Sequence, residues 1–452
     1  MANVAFTGNH SRTVTFHAVS QHLGATGVFW IMPGAEFRIK YLTDHGVKKA
    51  DILDLSLAAP ETDMNALSEL EYFSDVSVSY IISSDRLLRR KSRDYAYGYL
   101  CAVYNAVKKF ITVNQIDIIF SEATWAFELV TCAAARACGA EFLVPHTVRY
   151  PKDRFVFFRG IFQKDIVDTG RNASVTGMPF MPAGADVSRP ELLSGRNVSG
   201  LFRHVFRCIS EKYDDTSHTP FQLVRDRVGR FLNASLTGFG GFSGRPSGKY
   251  VYFPLHCQPE ASVDVLGGFH ADQLSLIRAV SKSMPCGTTL AVKEHPKGLG
   301  MRRPSFFREV GRLPNTVNIS PFAGSAEIIK GAEAVVSVSG TACYEAALMG
   351  VGSVVFSDVF FAELSSVFRC HGYEDISDCL GSAMSAENDR QSMVRFLEKM
   401  SACSYGGSVE PYDIDNDVIK EENARAAAQA FMDVIDYSSS RPLAAAASIS
   451  SR

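Results

Sequence analysis

The chain has 452 residues, 46% of them hydrophobic and 21% charged, and a formal net charge of −2. Its length allows two or three domains, each with a sizeable buried core. A net charge this small gives no overall attraction to nucleic acid, so no nucleic-acid partner is predicted. The N-terminal residues lack the pattern of a signal peptide, and no apolar run reaches the ~18 residues of a membrane span. Ten scattered cysteines without a C-x-x-C pair are typical of reduced thiols, so we predict a cytoplasmic protein.

In the first part of the chain, short apolar runs alternate with amphipathic segments. Strands are predicted over residues 4–6, 28–32, 76–82, 116–120 and 141–144, and helices over residues 13–23, 64–73, 85–113 and 125–138. Asp85 is predicted to cap the long helix, and Gly139 to end the last one. This alternation indicates a doubly wound parallel sheet, so residues 1–175 are predicted to form a first Rossmann-like α/β domain.

The second half of the chain repeats this alternation after a less regular stretch. Residues 176–248 are predicted to be a helical segment that ends in a Gly- and Ser-rich linker. Residues 249–410 are predicted to form a second Rossmann-like domain, with strands near 250–253, 289–293, 317–319, 334–338 and 353–356 and helices near 271–283, 304–312, 326–331, 342–350 and 361–370. A C-terminal helix is predicted within residues 411–437, and the low-complexity residues 438–452 are predicted to be disordered.

Polar clusters follow three strands of the second domain directly. They are His256–Glu260, Lys293–Pro296 and Ser337–Thr341. In an open parallel sheet, ligands bind outside the carboxyl ends of the strands. The sequence therefore predicts one ligand site that is built from these three loops.

The stretch from Ser339 to Glu345 favours an anionic ligand. Ser339, Gly340 and Thr341 open a helix, whose first N–H groups are unpaired and whose dipole has its positive end there. Glu345 follows one turn later on the same face, where its carboxylate suits the hydroxyl groups of a sugar. An ordinary helix cap followed by an acid in the first turn explains the same residues equally well.

The loop after the second strand has the sequence Lys293–Glu294–His295–Pro296. His295 is suited to donate a hydrogen bond to a phosphate or a nucleobase, and Pro296 fixes the loop. A lone histidine is more often structural. A functional role for this loop is favoured only because the loop should lie near Ser339–Thr341. We assign all four residues to a predicted donor site.

The loop after the first strand contains Gln258, Pro259 and Glu260. Gln258 is a candidate for reading the edge of a base or a sugar, and a polar loop without a ligand is an equally good interpretation. A metal site is disfavoured because the available His and Cys residues match no known ligand spacing. The residues considered for it are His256, Cys257, His270 and His295. We therefore predict no metal.

The first domain supplies candidates for the acceptor side. Glu122 follows a strand and suits a general base that removes a proton from an acceptor hydroxyl, although a helix-capping acid is an equal alternative. His10, in the first strand-to-helix loop, is the rival base. His146, Arg149 and Arg154 form a cationic group that suits an anionic acceptor or the carboxylate of a donor, the alternative being plain surface charge.

Several of these segments resemble the capsule polysaccharide biosynthesis proteins, which include the Kdo transferases of capsule assembly. The resemblance lies in FPLHCQPEASVDVLGG, VKEHP, NTVNISP, AVVSVSGTACYEAALMG and GSVVFSD, and in the earlier FSEATWAFELV and PHTVRYPKDRFVFFRG. It implies the GT-B fold, in which two Rossmann-like domains face each other across a cleft and the C-terminal domain holds the nucleotide sugar. It also implies an enzyme that needs neither a metal nor a cofactor beyond its nucleotide-sugar substrate.

The His–Pro pair and the hydroxyl-rich helix start also resemble the paired motifs of bacterial sialyltransferases, which bind CMP-activated sugars. The resemblance implies that His295 and Pro296 contact a cytidine nucleotide. It implies that Ser339 and Thr341 contact its phosphate and that Glu345 holds ribose or sugar hydroxyls. This chain has Ser–Gly–Thr where those enzymes have adjacent Ser–Ser or Ser–Thr, which leaves the donor open.

Taken together, these features predict a glycosyltransferase of capsule or surface polysaccharide synthesis. It would transfer Kdo or another CMP-activated acidic sugar from a nucleotide donor to a glycan or glycolipid acceptor. Peripheral association with the inner membrane or with capsule-assembly proteins is left open. Two alternatives remain: a nucleotide-sugar epimerase on the same fold, which needs no acceptor site, and a non-catalytic factor for capsule assembly or export.

Overall fold

The computed structural model describes residues 2–9, 12–34, 36–56, 62–170, 220–239, 242–244, 246–387, 389–409 and 421–440. Within them, the chain forms two compact units, one made of residues up to 170 and from 397 onward, the other of residues 220–396. The sequence-based boundary continued the second domain to residue 410, whereas the chain returns to the first unit at Leu397. Most of the predicted helical segment, the predicted tail beyond residue 440 and His10 lie outside the described residues.

The first unit is built on a seven-stranded sheet. Its strands are β1 (Asn3–Thr7), β2 (Gly27–Met32), β3 (Ile52–Asp54), β4 (Ile118–Phe120), β5 (Glu141–Val148), β6 (Arg154–Arg159) and β13 (Tyr405–Gly406). They lie in the order β13-β6-β5-β4-β1-β2-β3. Strands β1 to β5 pair in parallel, whereas β6 is antiparallel to β5 and β13 is antiparallel to β6. The order reverses between β1 and β4, which is the usual place of a ligand crevice in such a sheet.

The helices of the first unit cover this sheet. They are Arg12–Ser20, Glu36–Asp44, Met64–Phe73, Val78–Ser84, Arg93–Asn114, Ala126–Ala137 and Glu421–Ser440. The last of these completes the aromatic core, because the ring of Phe431 lies 4.5 Å from that of Phe120 and 4.9 Å from that of Phe157. Phe6 and Phe16 belong to the same fully buried group.

Two predictions for the first unit are wrong. The predicted strand 76–82 is the helix Val78–Ser84, whose cap Ser77 accepts a hydrogen bond from the backbone of Tyr80. Asp85 ends this helix and does not start the next one. The long helix is instead capped by Ser92, whose hydroxyl accepts from the backbone of Tyr95.

The second unit is built on a six-stranded sheet. Its strands are β7 (Tyr250–Pro254), β8 (Thr289–Lys293), β9 (Thr316–Ile319), β10 (Ala334–Ser337), β11 (Ser353–Val355) and β12 (Val367–Arg369). They lie in the order β12-β11-β10-β7-β8-β9, and every neighbouring pair is parallel. The order reverses between β7 and β10. The predicted α/β class with two largely parallel sheets is confirmed.

Helices cover both faces of the second sheet. They are Pro220–Thr237, Ala261–Asp264, Gln273–Ser283, Pro304–Val310, Ser325–Lys330, Thr341–Leu348 and Ile376–Met384, and the next helix, Arg390–Cys403, runs across the boundary between the units at Leu397. The predicted helix 361–370 is wrong, because a short 3₁₀ turn at Phe360–Glu363 leads into β12. The linker predicted from Asn233 to Lys249 begins later than expected, since the helix Pro220–Thr237 includes its first residues. None of the described helices combines the length and apolar character needed to cross a membrane.

The side chains of β7 alternate between two different environments. Val251 and Phe253 are buried in the core that contains the helix Gln273–Ser283. Tyr250 points to the other face, where its hydroxyl donates to the carbonyl of Ile328 in the helix Ser325–Lys330 at 2.8 Å. Residues at the carboxyl ends of the strands therefore divide between two faces, and this division decides which polar side chains can meet.

Candidate functional site

The carboxyl ends of β7 and β10 are joined by a partly buried polar pair. The Nε2 atom of His256 lies 2.8 Å from Oγ of Ser337, at the point where the strand order reverses. The backbone N–H of Ser339 also points at Nε2, at 3.4 Å. A backbone N–H can only donate, so Nε2 is the acceptor and the hydroxyl of Ser337 donates to it. Burial, together with the nearby Arg302 guanidinium, lowers the pKa of His256 to about 4, so the ring is neutral at pH 7.

Gly340 is fixed by this pair. Its backbone N–H donates to Oγ of Ser337 at 3.2 Å. A Cβ atom at this position would lie 2.5 Å from Oγ of Ser337 and 3.3 Å from Cε1 of His256. The approach is too close for any side chain, so the glycine in this loop is a packing requirement.

The hydroxyl of Ser339 is engaged within the protein. It donates to the carbonyl of Ser262 at 2.5 Å, and the residue is 7% exposed. Thr341 is the first residue of the helix Thr341–Leu348 and is half-buried. Because the first N–H groups of a helix have no partner within it, Thr341 and the backbone beside it are better placed for an anion than the side chain of Ser339.

Glu294 and Arg302 hold the loop after β8 to the loop after β7. Nη1 of Arg302 lies 2.7 Å from both carboxylate oxygens of Glu294, and Nη2 donates to the carbonyl of His256 at 2.6 Å. Burial raises the pKa of Glu294, while the Arg302 guanidinium opposes this shift. The side chain of Glu294 has no exposed surface. We therefore assign Glu294 to holding the two loops together and not to the ligand contact that the sequence predicted.

His295 presents its ring at the surface of the same loop. Nδ1 accepts a hydrogen bond from the backbone of Lys297 at 3.1 Å, so Nε2 carries the proton of the neutral ring. The Sγ atom of Cys257 lies 3.4 Å from Nδ1. Pro296 begins a 3₁₀ turn and is buried. This geometry suits the predicted role of His295 as a hydrogen-bond donor.

Lys293 is the last residue of β8 and points to the opposite face from Glu294. It is 3% exposed, and Nζ donates to Oγ of Ser325 at 2.9 Å. Burial lowers the pKa of Lys293 to about 8. Ser325, which the sequence interpretation did not select, is the first residue of the helix that follows β9.

The amide of Gln258 is used to hold its own loop. Nε2 donates to Oδ1 of Asp264 at 2.9 Å and to the carbonyl of Ala271 at 3.2 Å, and Oε1 accepts from Gln273 at 3.1 Å. These contacts leave the amide little capacity to read a base or a sugar. The two residues that follow, Pro259 and Glu260, are exposed.

Glu345 lies on the sheet face that carries Tyr252. Burial raises the pKa of Tyr252, and the nearby carboxylate of Glu345 raises it further. The predicted placement of Glu345 one turn into the helix Thr341–Leu348 therefore puts it near the carboxyl end of β7. Its position is compatible with the hydroxyl-binding role that the sequence suggested.

In the first unit, Glu122 is held by Arg12. Nη2 of Arg12 lies 2.5 Å from Oε1 of Glu122, and Nε donates to the same oxygen at 2.6 Å. Beside them, the hydroxyls of Thr7 and Ser121 lie 2.7 Å apart and join β1 to the end of β4. The carboxylate is therefore positioned at the point where the strand order of this sheet reverses. The rival base, His10, lies outside the described residues.

Glu128 is a buried acid beside this pair that the sequence interpretation missed. Its Oε2 atom accepts from the backbone of Thr124 at 2.8 Å and of Trp125 at 3.0 Å. Burial raises the pKa of Glu128, and the Glu122 carboxylate raises it further. The signal in the sequence is a Glu three residues after the residue that caps a helix, the position whose side chain reaches back to the cap.

The predicted cationic group is largely committed to contacts within the protein. Nε of Arg154 donates to Oγ of Ser404 at 2.7 Å and Nη2 to the carbonyl of Ser401 at 3.3 Å, which anchors the returning chain to β6. Nε2 of His146 lies 3.2 Å from the amide of Gln163. Arg149 is exposed. Arg154 therefore serves the fold.

No group of three or more His, Cys, Asp and Glu side chains in the described ranges is arranged to hold a metal ion. His256 and His295 approach one another through their loops, but His256 Nε2 is taken by Ser337 and the backbone of Ser339.

No protein-family model and no curated protein sequence matches this chain. Among solved structures it is similar to the β-Kdo 2,7 transferase KpsC of Thermosulfurimonas dismutans, with 12% identity, a TM-score of 0.34 and coverage of 74% of this chain and 89% of that one. The UDP-GlcNAc 2-epimerase of Methanocaldococcus jannaschii shares 10% identity at a TM-score of 0.30, covering 88% of this chain and 100% of that one.

A trehalose-6-phosphate synthase, studied for glycosyl transfer with retention, shares 10% identity at a TM-score of 0.34, covering 98% of this chain and 100% of that one. All these TM-scores are low. The fold assignment therefore stands on the strand order given above, and no conclusion about substrate or reaction is drawn from these similarities.

Proposed function

We propose that this protein is a glycosyltransferase of capsule or surface polysaccharide synthesis, which moves a sugar from a nucleotide donor to a glycan or glycolipid acceptor. The observation that carries the proposal is that three donor groups lie at the carboxyl ends of β8 and β10, the two strands that flank β7 in the sheet. They are the helix start at Thr341, the protonated Nε2 of His295 and the ammonium of Lys293. An anion such as the phosphate of a nucleotide sugar complements all three.

These three donor groups would act on the phosphate that leaves when the sugar is transferred. When the bond between the sugar and its leaving phosphate breaks, negative charge grows on the phosphate oxygens. Backbone N–H groups at a helix start and a ring N–H that are already in place stabilise that charge without reorganisation. The neutral His256 and the hydroxyl of Ser337 hold the loop that presents the helix start.

The acceptor hydroxyl must lose its proton as it attacks the sugar. Glu122 is our proposed base, because it lies at the reversal point of the first sheet and Arg12 fixes the direction of its carboxylate. His10 is the alternative. In this mechanism no metal is required, since the protein's own cations and N–H groups balance the charge of the phosphate.

For the donor we propose a CMP-activated acidic sugar, with Kdo as the first candidate. The support is the resemblance of the His295–Pro296 and Ser339–Thr341 segments to the motifs of capsule and sialic-acid transferases. We place the reaction in the cytoplasm, or at the inner membrane if the acceptor is a glycolipid.

The first test is a melting experiment with CMP, UDP and GDP. A nucleotide present at ~100 times its dissociation constant stabilises the folded protein by ~2.7 kcal/mol, which is measurable as a shift of several degrees. We expect CMP to raise the melting temperature most. A larger rise in melting temperature with UDP or GDP would indicate a donor activated by that nucleotide and would contradict the proposed CMP-activated sugar.

The second test is a product assay with CMP-Kdo in the presence and absence of a glycan acceptor. Transfer that depends on the acceptor supports the proposal. Conversion of the donor sugar without an acceptor would point to an epimerase. If none of the nucleotides binds and no product forms, a non-catalytic role in capsule assembly or export becomes the better explanation.

A further inference from the structure

Lys293 is a buried cation that forms no direct ion pair with any described residue. In the part of the chain that the structure describes, no carboxylate forms an ion pair with its ammonium, and its one hydrogen bond goes to Oγ of Ser325. The carboxylate of the next residue, Glu294, points to the other face of the sheet and is fully engaged with Arg302. Glu294 therefore acts on this charge only from a distance, and among the described residues the ammonium has no direct counter-ion at a position that is 3% exposed.

This arrangement is unfavourable unless something else balances it. An ammonium has three N–H donors, and only one of them is used here. Burying an unpaired charge costs far more than a neutral side chain of the same size would, and proteins normally pair such a charge or use it. The depressed pKa of Lys293, about 8, has this cause.

Lys293 is the last residue of β8 and therefore lies at the sheet edge where ligands bind in open parallel sheets. Lys293 pairs with Pro254 at the carboxyl end of β7, on the face that carries Tyr252. Ser325, its partner, also forms a hydrogen bond with Tyr252 and begins the helix Ser325–Lys330. That helix packs beside the helix Thr341–Leu348, which supplies Glu345 near Tyr252.

We infer that Nζ of Lys293 and Oγ of Ser325 form an oxyanion subsite, which binds one charged oxygen group of the substrate. Two groups of the proposed donor have this chemistry: the phosphate of the nucleotide and the carboxylate of the acidic sugar. The identity of the donor rests on the proposed function, whereas the subsite itself depends only on the charge of Lys293.

The charged groups around Lys293 determine how its anion affinity depends on pH. Glu294 is the nearest carboxylate but is held by Arg302, and Glu345 lies beyond Tyr252. The bound anion therefore interacts mainly with the protonated Lys293. Loss of that proton above pH 8 should weaken anion binding about tenfold for each pH unit, until Lys293 no longer contributes.

The test measures binding to the full-length chain by calorimetry, with four separate probes: inorganic phosphate, CMP, free Kdo and uncharged cytidine. Lys293→Met removes the charge and keeps an unbranched apolar side chain of similar size. At pH 7 we expect it to weaken binding of the matching oxyanion at least tenfold, to leave cytidine unchanged and to remove the pH dependence above pH 8. Loss for phosphate and CMP assigns the subsite to the phosphate, and loss for Kdo alone assigns it to the carboxylate.

The melting temperature separates this role from a structural one. Because Lys293→Met removes an unpaired buried charge, the ligand-free variant should melt at or above the temperature of the wild type. A lower melting temperature, or unchanged binding of phosphate, CMP and Kdo, would overturn the inference. Ser325→Ala is a milder second variant, for which we expect a loss of severalfold for the same probe.

The two proposals fail in different ways. If the wild type binds phosphate or Kdo through Lys293 but shows no transferase activity, the subsite stands and the proposed function falls. If transfer occurs and Lys293→Met binds and reacts like the wild type, the function stands and the subsite falls. If no oxyanion binds to the wild type, the subsite is refuted.

Discussion

His256 and Ser337 form a hydrogen bond of 2.8 Å across the point where the strand order of the second sheet reverses. The ring accepts this bond, and protonation of Nε2 would remove the acceptor. The folded protein therefore resists protonation of His256, whose pKa is lowered to about 4 by burial and by Arg302 from an ordinary value of 6.5. Protonation of Nε2 of His256 would therefore both lower the stability of the protein and disturb the loop that contains Gly340.

This link predicts a loss of stability in acid. Between about pH 6.5 and pH 4 the unfolded chain binds a proton at His256 that the folded chain does not, so stability is fully present above this window and falls within it. The total loss from this group is up to ~3 kcal/mol. Melting curves at pH 7 and pH 5 should show a larger drop for the wild type than for His256→Gln. Equal drops would mean that another group controls acid stability.

Replacement of Gly340 should disable the same loop. In Gly340→Ala, the new Cβ would lie 2.5 Å from Oγ of Ser337, so the hydroxyl must move and the pair with His256 must break. We expect nucleotide binding to weaken at least tenfold, as measured by calorimetry. Gly381→Ala is the matched control, because its Cβ would meet no atom within 4 Å and a Gly-to-Ala change inside a helix is stabilising. Full binding by Gly340→Ala would show that the loop tolerates rearrangement.

His295 should contribute directly to nucleotide binding. Its Nε2 carries the ring proton and is expected to donate to a charged oxygen, a hydrogen bond usually worth about 1–3 kcal/mol. His295→Ala is therefore expected to weaken binding of CMP by a factor of about 5 to about 150. Cys257→Ser is the control, since it alters the neighbouring atom at 3.4 Å without removing the ring. Unchanged CMP affinity in His295→Ala would remove this residue from the site.

Glu122 should affect turnover and leave donor binding intact. Glu122→Gln keeps the size of the side chain and removes its ability to take a proton, so kcat should fall about 10²- to 10⁴-fold. The shift in melting temperature with CMP should stay the same, because the proposed nucleotide loops belong to the second unit. Glu36→Gln changes an exposed acid of the same unit and serves as the control. A Glu122→Gln enzyme with normal kcat would transfer the role of base to another residue, with His10→Ala as the next variant.

Arg154 should stabilise the attachment of the returning chain. Its guanidinium donates to the hydroxyl of Ser404 and to the carbonyl of Ser401, and both partners lie in the segment that leads into β13. Arg154→Ala is expected to lower the free energy of unfolding by ~1–3 kcal/mol and to speed hydrogen exchange in the helix Glu421–Ser440. Lys152→Ala, an exposed neighbour, should change neither quantity. Exchange at the wild-type rate in Arg154→Ala would contradict the anchoring role.

The sheets were predictable because their strands are continuous apolar runs that end at polar residues. The strands around Val251, Leu290 and Val335 are fully buried, and this burial is what such runs imply. The segment from Val76 to Ile82 was wrongly predicted to be a strand because apolar and polar residues alternate in it. Tertiary packing decided the outcome: Val78 and Ile81 are buried three residues apart on one face of a helix that Ser77 caps.

The position of the candidate site could be predicted from the sequence, but the hydrogen-bond partners of its side chains could not. Strand ends of a parallel sheet lie at one edge, so the clusters after β7, β8 and β10 had to lie close together. The direction of each side chain depends on partners that are distant in the sequence. Ser339 forms a hydrogen bond with Ser262, Glu294 forms one with Arg302, and Gln258 forms one with Asp264. The local sequence pattern does not predict these contacts.

Phe431 lies against Phe6, Phe120 and Phe157, so the core of the first unit needs residues from both ends of the sequence. A ribosome adds roughly 5–20 residues per second, so tens of seconds pass between the synthesis of Phe6 and that of Phe431. The second unit is continuous in the described chain and can fold during this time. The aromatic side chains of the first sheet are not yet packed against the helix Glu421–Ser440. Nascent chains that stop before residue 421 should therefore be strong clients of chaperones.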